Sequence, residues 1–135
     1  MSYILLSIHP QYIDKILKGE KTIELRKRVG TRFVDDATIF LYSTAPISAV
    51  VATCQIRFVE KILVENGISR GVSEGGVTSQ HYREYFSDRR IAYFIHLYNV
   101  KKFENQIPVS KLKILGITPP QSFRYLKDQE VKELC

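Results

Sequence analysis

The segment Gly19–Arg28, with the sequence GEKTIELRKR, places a turn residue, a strand-like alternation and six charged side chains in ten positions. Because side chains alternate across an extended strand, Ile23 and Leu25 point to one face, where they can meet an apolar core. The opposite face carries three charged side chains: Glu24, Arg26 and Arg28. This alternation is also typical of an ordinary solvated strand, so the neighbouring sequence has to decide what the segment does.

The residues before this segment predict a buried strand followed by a capped helix. Tyr3–Ile8 is a short, nearly continuous apolar run, which is typical of a buried strand. Pro10 ends that strand and suits the first turn of a helix, and Gly19 suits the position just after the helix C-terminus. Lys21 is therefore expected at the mouth of a helix-to-strand turn, and Thr22–Val29 is predicted to form the second strand.

The rest of the chain predicts a mixture of strands and helices. Further strands are predicted over Thr38–Ser43, Ile47–Val59 and Ile91–Phe103. Helices are predicted over Glu60–Asn66, from Thr78 or Ser79 to Phe86, after Pro108, and over Lys127–Leu134. The glycines within 67–77 predict a loop between the first two of these helices. With few β-α-β crossovers, this order favours an α+β fold around a small, closed or partly closed sheet.

Length and composition predict one globular domain spanning residues 1–135. A chain of 135 residues can bury a single core, and its 44% apolar and 25% charged residues are ordinary for a globular protein. No apolar run approaches the roughly 20 residues of a membrane span, and no basic region precedes the N-terminal apolar run as in a secretory signal. Cys54 and Cys135 have no metal-ligand spacing, so we expect a reduced chain in the cytoplasm.

The charge is basic and unevenly distributed. Twenty Lys and Arg residues against fourteen Asp and Glu give a net charge of +6. The range His9–Arg32 holds seven basic and three acidic residues, so a local charge of +4 surrounds the opening segment. Such a local excess suggests phosphate backbones as a partner, and the many Tyr and Phe rings offer surfaces for stacking bases. A basic face that meets an acidic protein partner is an alternative, and no particular protein partner is indicated.

Four motifs together resemble those of a known family. LLSIHP at 5–10 precedes the first helix, and the spacing G-x-K-x-x-E-x-R follows it at Gly19, Lys21, Glu24 and Arg26. The chain resembles the ASCH domain, of the PUA-like superfamily, whose hallmark is this spacing after the first helix. The resemblance extends to LYS at 41–43 before a long β run and to PPQSF at 119–123. It implies a PUA-like small β-barrel flanked by helices, with a basic cleft between the barrel and the helices.

The resemblance also implies a set of activities related to RNA. Family proteins include coactivator components, RNA-binding proteins, a Mg²⁺-dependent nuclease for single-stranded RNA, and an amidohydrolase of acetylated cytidine. We favour an RNA- or nucleotide-binding module, with single-stranded RNA as its partner, in RNA processing or regulation. A Mg²⁺-assisted ribonuclease is the alternative. The amidohydrolase is less favoured, because that branch has a threonine where this chain has Glu24, and Thr22 is a poor substitute.

The candidate nucleic-acid-binding residues come from three parts of the chain. They are Lys21, Glu24, Arg26, Arg28, Tyr42, Ser43, Thr44, Ser122 and Arg124. Lysine binds phosphate as a point charge, hydroxyl groups bind phosphate oxygens, and tyrosine can stack on a base. Lys21 and Glu24 are the candidates for catalysis. Acidic clusters are scarce, since Asp35-Asp36 is the only adjacent pair, so no metal site or tightly bound cofactor is expected, and Mg²⁺ in a nuclease would arrive with the RNA.

Overall fold

The strands of the computed structural model, which describes residues 2–135, form a single six-stranded sheet in the order β2-β5-β4-β3-β1-β6. The strands are β1 (Tyr3–Ile8), β2 (Ile23–Arg26), β3 (Thr38–Ser43), β4 (Ala49–Leu63), β5 (Ile91–Pro108) and β6 (Phe123–Tyr125). The helices are α1 (Pro10–Leu17), α2 (Ile68–Ser73), α3 (Ser79–Tyr85), α4 (Val109–Ile114) and α5 (Asp128–Leu134). No helix within 2–135 is long and apolar enough to cross a membrane.

The sheet curls into a half-barrel. β1 and β3 are parallel and the other neighbouring strands are antiparallel. The two long strands, β4 and β5, shift register at three points, and such irregularities bend a strand and increase its twist. β2 and β6 stand at the two ends of the strand order and are not paired with each other. The predicted α+β fold, a small PUA-like barrel flanked by helices, is confirmed in this partly closed form.

Three clusters of buried side chains hold the half-barrel and its helices together. The inner face of the sheet buries a cluster that includes Ile4, Leu6 and Ile95. The alternate side chains of β1 and β3, including Leu5 and Phe40, pack with residues of α4 and α5. A third cluster joins β2 and β5 to α3 and the loop before it: Ile23, Leu25, Val77, Tyr82 and Phe94 are among its members. Both faces of the sheet pack against other parts of the chain. The burial of apolar side chains on these two faces therefore supplies most of the free energy that stabilises the fold.

The predicted turn between α1 and β2 is present and sets the position of the site. Gly19 has a φ of 78°, in the left-handed region that favours glycine. The N–H of Glu20 donates to the carbonyl of Lys15 at 2.9 Å, and that of Gly19 donates to the carbonyl of Ile16 at 3.1 Å. This pattern is a Schellman motif, which ends the helix abruptly. The backbone of Lys21 also bonds back to Lys15, at 3.1 Å, so Lys21 starts beside the end of α1.

The prediction for β2 was too long at both ends. The strand covers Ile23–Arg26 and not Thr22–Val29. Arg28 therefore lies beyond the strand and is exposed, so it does not share a face with Glu24. The polar face of β2 is not solvated either, because Glu24 is only 7% exposed.

The helix predicted over Glu60–Asn66 is wrong. β4 continues through Leu63, paired with the start of β5, and only Val64–Asn66 forms a short 3₁₀ turn. The local sequence of residues 60 to 63 is compatible with a helix or a strand. These residues form a strand because they belong to the ladder of twelve residue pairs between β4 and β5. The predicted strands Ile47–Val59 and Ile91–Phe103 are correspondingly too short at their C-terminal ends.

The loop predicted over 67–77 is partly wrong, because α2 occupies Ile68–Ser73. Its central residue, Gly71, does not mark a turn. A Cβ at this position would lie 2.6 Å from the ring of Tyr82, which is itself fully buried. The glycine is therefore required by the close approach of α2 to α3. The predicted start of α3 is confirmed, since the hydroxyl of Thr78 accepts a hydrogen bond from the N–H of His81 at 3.0 Å.

Replacing Gly71 with alanine is expected to destabilise the protein by about 1–3 kcal/mol, because the new methyl group would displace the buried Tyr82 ring. The free energy of urea unfolding measures this change. Ser73→Ala is the control, since Ser73 is exposed on the same helix and its substitution should change stability by less than about 0.5 kcal/mol. Equal stabilities for the two variants would contradict the packing described for Gly71.

Candidate functional site

A cavity of about 350 Å³ opens where β1 and β2 end between α1 and α3. Its floor is polar and includes Lys21, Glu24 and Arg26. One wall is largely aromatic, and the rim is formed by His9, Thr44, Gln121 and Ser122. The cavity thus brings together side chains as distant in the sequence as Ser7 and Ser122.

Three charged side chains form a compact network on the floor. The ammonium of Lys21 lies 3.3 Å from Oε1 of Glu24, and Nε of Arg26 donates to Oε2 at 2.8 Å. Lys21 also donates to the carbonyl of Gly75 at 2.5 Å. An ammonium has three N–H donors, so these contacts leave one for a ligand. Lys21 is 3% exposed and Glu24 7%, so the network is almost completely removed from bulk water.

Burial and charge act against each other in this network. Burial lowers the pKa of Lys21, and the neighbouring Glu24 carboxylate opposes that shift without cancelling it. Burial alone would raise the pKa of Glu24, but Arg26 and Lys21 outweigh it and hold the pKa of Glu24 below its usual value. Glu24 is therefore a carboxylate at neutral pH, and Lys21 gives up its proton more readily than an exposed lysine.

Arg26 forms hydrogen bonds between the two ends of the sheet, which are not paired with each other. Besides Glu24, its guanidinium donates to the carbonyl of Ser7 at 2.9 Å and to the hydroxyl of Ser122 at 3.1 Å. Ser7 lies at the end of β1, and its hydroxyl donates to the carbonyl of Pro120 at 2.6 Å. Arg26 therefore bridges β2 at one end of the strand order to β1 and the segment before β6 at the other. We call this set of contacts the Arg26 bridge.

The aromatic wall consists of Tyr12 from α1 and His81 and Tyr85 from α3. The rings of His81 and Tyr85 are nearly parallel, with centroids 6.0 Å apart and 9° between their planes. Tyr12 lies 5.8 Å from His81, and the Lys21 ammonium sits 5.4 Å from the Tyr12 ring centroid. These rings offer apolar faces beside a buried cation, an arrangement that accommodates a flat, polar ligand.

The rim adds groups that can bind or move a proton. Nδ1 of His9 lies within hydrogen-bonding distance of the Thr44 hydroxyl, at 3.3 Å. His9 and Ser122 are both exposed, and the Ser122 hydroxyl accepts a hydrogen bond from Arg26.

Five of the nine predicted binding residues meet in this cavity: Lys21, Glu24, Arg26, Thr44 and Ser122. The structure places the other four, Arg28, Tyr42, Ser43 and Arg124, outside it. Tyr42 packs in the cluster beneath α4 and α5, and Ser43 is 1% exposed in β3. Arg124 donates from Nη2 to both carboxylate oxygens of Glu130, at 2.9 and 3.0 Å, so it anchors α5 instead.

Several lining residues were not among the predicted site residues. Tyr12, His81, Tyr85 and Gln121 were not predicted to take part in binding. The i, i+4 spacing of His81 and Tyr85 puts both on one side of α3, which is the signal that was available in the sequence. Thr22, considered as a substitute nucleophile, is exposed and does not line the cavity.

Glu24 supplies the carboxylate among the residues that line the cavity. Both carboxylate oxygens of Glu24 already contact Lys21 or Arg26. Across residues 2–135 there is no group of three or more His, Cys, Asp or Glu side chains arranged to hold a metal.

Comparison with known proteins agrees with the fold and the motif. An ASCH domain-containing ribonuclease of Zymomonas mobilis subsp. mobilis is 25% identical over 131 residues, which cover 96% of this chain and 87% of the relative. The crystal structure of ASCH from Zymomonas mobilis matches with a TM-score of 0.90 and 27% identity, over 98% of this chain and 92% of that one. The N-terminal domain of Staphylothermus marinus McrB, at a TM-score of 0.62 and 11% identity, shares the fold over 97% of this chain and 91% of its own.

The half-barrel, its flanking helices and the cleft beside β2 define a small PUA-like domain. The ASCH domain model matches residues 6–130, and the chain belongs to that family.

Proposed function

We propose that this protein binds single-stranded RNA, or a nucleotide within it, in the cavity between α1 and α3. The single observation that carries the proposal is the combination, in one cavity of about 350 Å³, of an aromatic wall with a buried Lys21–Glu24–Arg26 network. That volume falls at the lower end of the roughly 300–1,000 Å³ usual for ligand pockets, so it suits a ligand of nucleotide size.

The aromatic wall supports a base as the part of the ligand that enters. Tyr12, His81 and Tyr85 expose ring faces or edges to the cavity, and sequence-tolerant stacking on aromatic rings is how proteins hold unpaired bases. A base in a duplex is stacked and paired, so it cannot enter a cavity of this kind without being extruded. The shape of the site therefore favours a single strand.

The charges support a phosphate beside that base. Lys21 retains a free N–H donor in a poorly hydrated setting, where a charge-assisted hydrogen bond is strong. The Ser122 and Thr44 hydroxyls at the rim can also donate to phosphate oxygens. The net charge of +6 adds long-range attraction for RNA.

Cleavage of RNA is the second candidate, because the Zymomonas relative is a ribonuclease. In cleavage by the 2′-hydroxyl, the 2′-oxygen forms a bond to phosphorus and the bond from phosphorus to the 5′-oxygen breaks. The reaction therefore needs one group that removes the proton of the 2′-hydroxyl, one that supplies a proton to the leaving 5′-oxygen, and others that stabilise the phosphate. Lys21, whose pKa burial lowers, and His9 at the rim are the groups that can exchange a proton, and Arg26 and Ser122 border the same space. Mg²⁺, if the reaction uses it, would enter with the RNA phosphates, and no tightly bound cofactor is part of the proposal.

The location we propose is the cytoplasm. Both cysteines are free, and burial raises the pKa of the Cys54 thiol to about 12, so this thiol is unreactive. Free thiols suit a reducing compartment.

Polarisation titrations with a labelled single-stranded RNA and a duplex of the same sequence test the proposed function. We expect the single strand to bind at least about 10-fold more tightly, because only its bases can stack in the cavity. Tyr85→Leu should weaken binding roughly 5- to 100-fold, the range that one stacked base contributes. Tyr98→Leu is the control, since Tyr98 is also half-buried but does not line the cavity.

Equal affinity for single strand and duplex, or equal effects of the two tyrosine variants, would contradict the proposed binding mode. Incubating the same RNA with and without Mg²⁺ separates the two candidates. Defined shorter products that require the protein support cleavage, and intact RNA over a broad pH range supports binding alone.

A further inference from the structure

A second cavity, of about 530 Å³, adjoins the first and has no part in the function proposed above. Tyr12 and Val77 line both cavities, so the two spaces share a wall. The rest of the second cavity is formed by residues of α1, by Glu20 in the turn after that helix, and by residues of the segment from 72 to 78. Two cavities that share a wall can hold successive units of one extended ligand.

A glycine turn places one lysine in each cavity. Lys21, in the first cavity, donates to the carbonyl of Gly75, and Lys15, in the second, donates to the carbonyl of Gly76 at 2.8 Å. Gly76 has a φ of 69°, and a Cβ there would lie 3.2 Å from Lys15 and 3.3 Å from Lys21. The turn is thus packed between the two side chains, and it anchors their ammonium groups on consecutive carbonyls.

The pair of anchored cations suits a phosphodiester that passes from one cavity to the other. Lys15 is half-buried and uses one of its three N–H donors on Gly76, which leaves two for phosphate oxygens. Gln11 and Ser73 supply polar groups for a base or a sugar. Glu20 is the one carboxylate lining this cavity; it repels phosphate but can accept a hydrogen bond from an exocyclic base amine.

We propose that the second cavity binds the nucleotide next to the one in the first cavity, and that Lys15 contacts the phosphate that links them. The ligand class is then a dinucleotide or a longer single strand rather than a free nucleoside. This inference rests on the proposed function, because it extends the same strand beyond the first cavity.

Isothermal titration of the full chain with pA, pU, pApA and pUpU tests the inference, and the readout is the ratio of the mononucleotide Kd to the dinucleotide Kd. We expect a ratio of at least about 10 in the unmodified protein, as one additional charge-assisted hydrogen bond to the linking phosphate contributes. Lys15→Met should reduce the ratio roughly 5- to 10-fold. Lys18→Met is the matched control, since it removes the same charge from an exposed residue just after α1 that lines neither cavity.

Dinucleotides that lack the base at one or the other position complete the test, and each should bind more weakly than the intact dinucleotide. Three outcomes would overturn the inference: a ratio near 1, an abasic dinucleotide that binds as tightly as the intact one, or equal ratios for Lys15→Met and Lys18→Met. If mononucleotides still bind in these cases, the proposed function is upheld. No binding of any of the four ligands or of longer single strands would overturn both.

Discussion

Replacing Arg26 with alanine is expected to destabilise the protein by about 3–5 kcal/mol, the cost of removing one partner from a buried ion pair. The side chains of Arg26 and Glu24 are only 13% and 9% exposed, so solvent screens their attraction weakly. Without Arg26, the Glu24 carboxylate would keep only Lys21 as a partner in a poorly hydrated place. The substitution would also break the Arg26 bridge, which joins β2 to Ser7 and Ser122 across the open side of the half-barrel.

Urea and thermal unfolding measure this effect, and a loss of this size corresponds to a fall of roughly 10–20 °C in Tm for a domain of this length. Arg28→Ala is the control, because Arg28 is exposed beyond the end of β2 and should contribute less than about 0.5 kcal/mol. Arg26→Lys should lie between the two, since lysine keeps the charge but not the planar fork. A loss below about 1 kcal/mol in Arg26→Ala would show that the Arg26 bridge does not hold the half-barrel together.

Replacing Lys21 with methionine is expected to weaken the binding of single-stranded RNA roughly 10- to 100-fold, which corresponds to the loss of one charge-assisted hydrogen bond of about 1.5–3 kcal/mol. Methionine keeps most of the length of the buried side chain, and Glu24 keeps Arg26 as its partner. The change therefore removes the ammonium without opening the Arg26 bridge. The dependence of log Kd on log salt should also become shallower by about 0.7, as expected when one phosphate contact to a single strand is lost.

Lys18→Met is again the appropriate control, because it changes the net charge equally from an exposed position outside the cavity. Polarisation titrations at several salt concentrations compare the variants, and thermal unfolding establishes that each one is folded. If both variants lose affinity to the same extent, the contribution of Lys21 is general charge and not a contact in the cavity.

The difference between Arg26 and Lys21 shows which part of the site could be predicted. Both were predicted to bind nucleic acid from one ten-residue motif, and both do line the cavity. The sequence contains no indication that the guanidinium of Arg26 bonds to Ser7 and Ser122, because these partners are 19 and 96 residues away. Contacts of that separation depend on how the strands are ordered, and for this reason the structural role of Arg26 became apparent only in the fold.

Two of the predictions that failed did so for the same reason. The segment Glu60–Asn66 has an ambiguous local pattern, and pairing with β5 made most of it a strand. Arg124 was predicted to face the cleft, but it alternates with Phe123 and Tyr125 in β6 and pairs with Glu130 of α5. The local pattern of neither segment shows which neighbour it will meet.

The sequence by itself determined the features that depend on neighbouring residues. These are the helix end at Gly19, the cap at Thr78, the alternation of β2 and the placing of Lys21, Glu24 and Arg26 within six positions of one another. Short-range hydrogen bonds and backbone preferences decide such features, so they can be predicted without the fold. Only the tertiary structure decided that the charged face of the segment Gly19–Arg28 would be buried, because burial requires α1 and α3 to close over it. The aromatic wall, the second cavity and the Arg26 bridge all follow from that packing, which the sequence pattern does not contain.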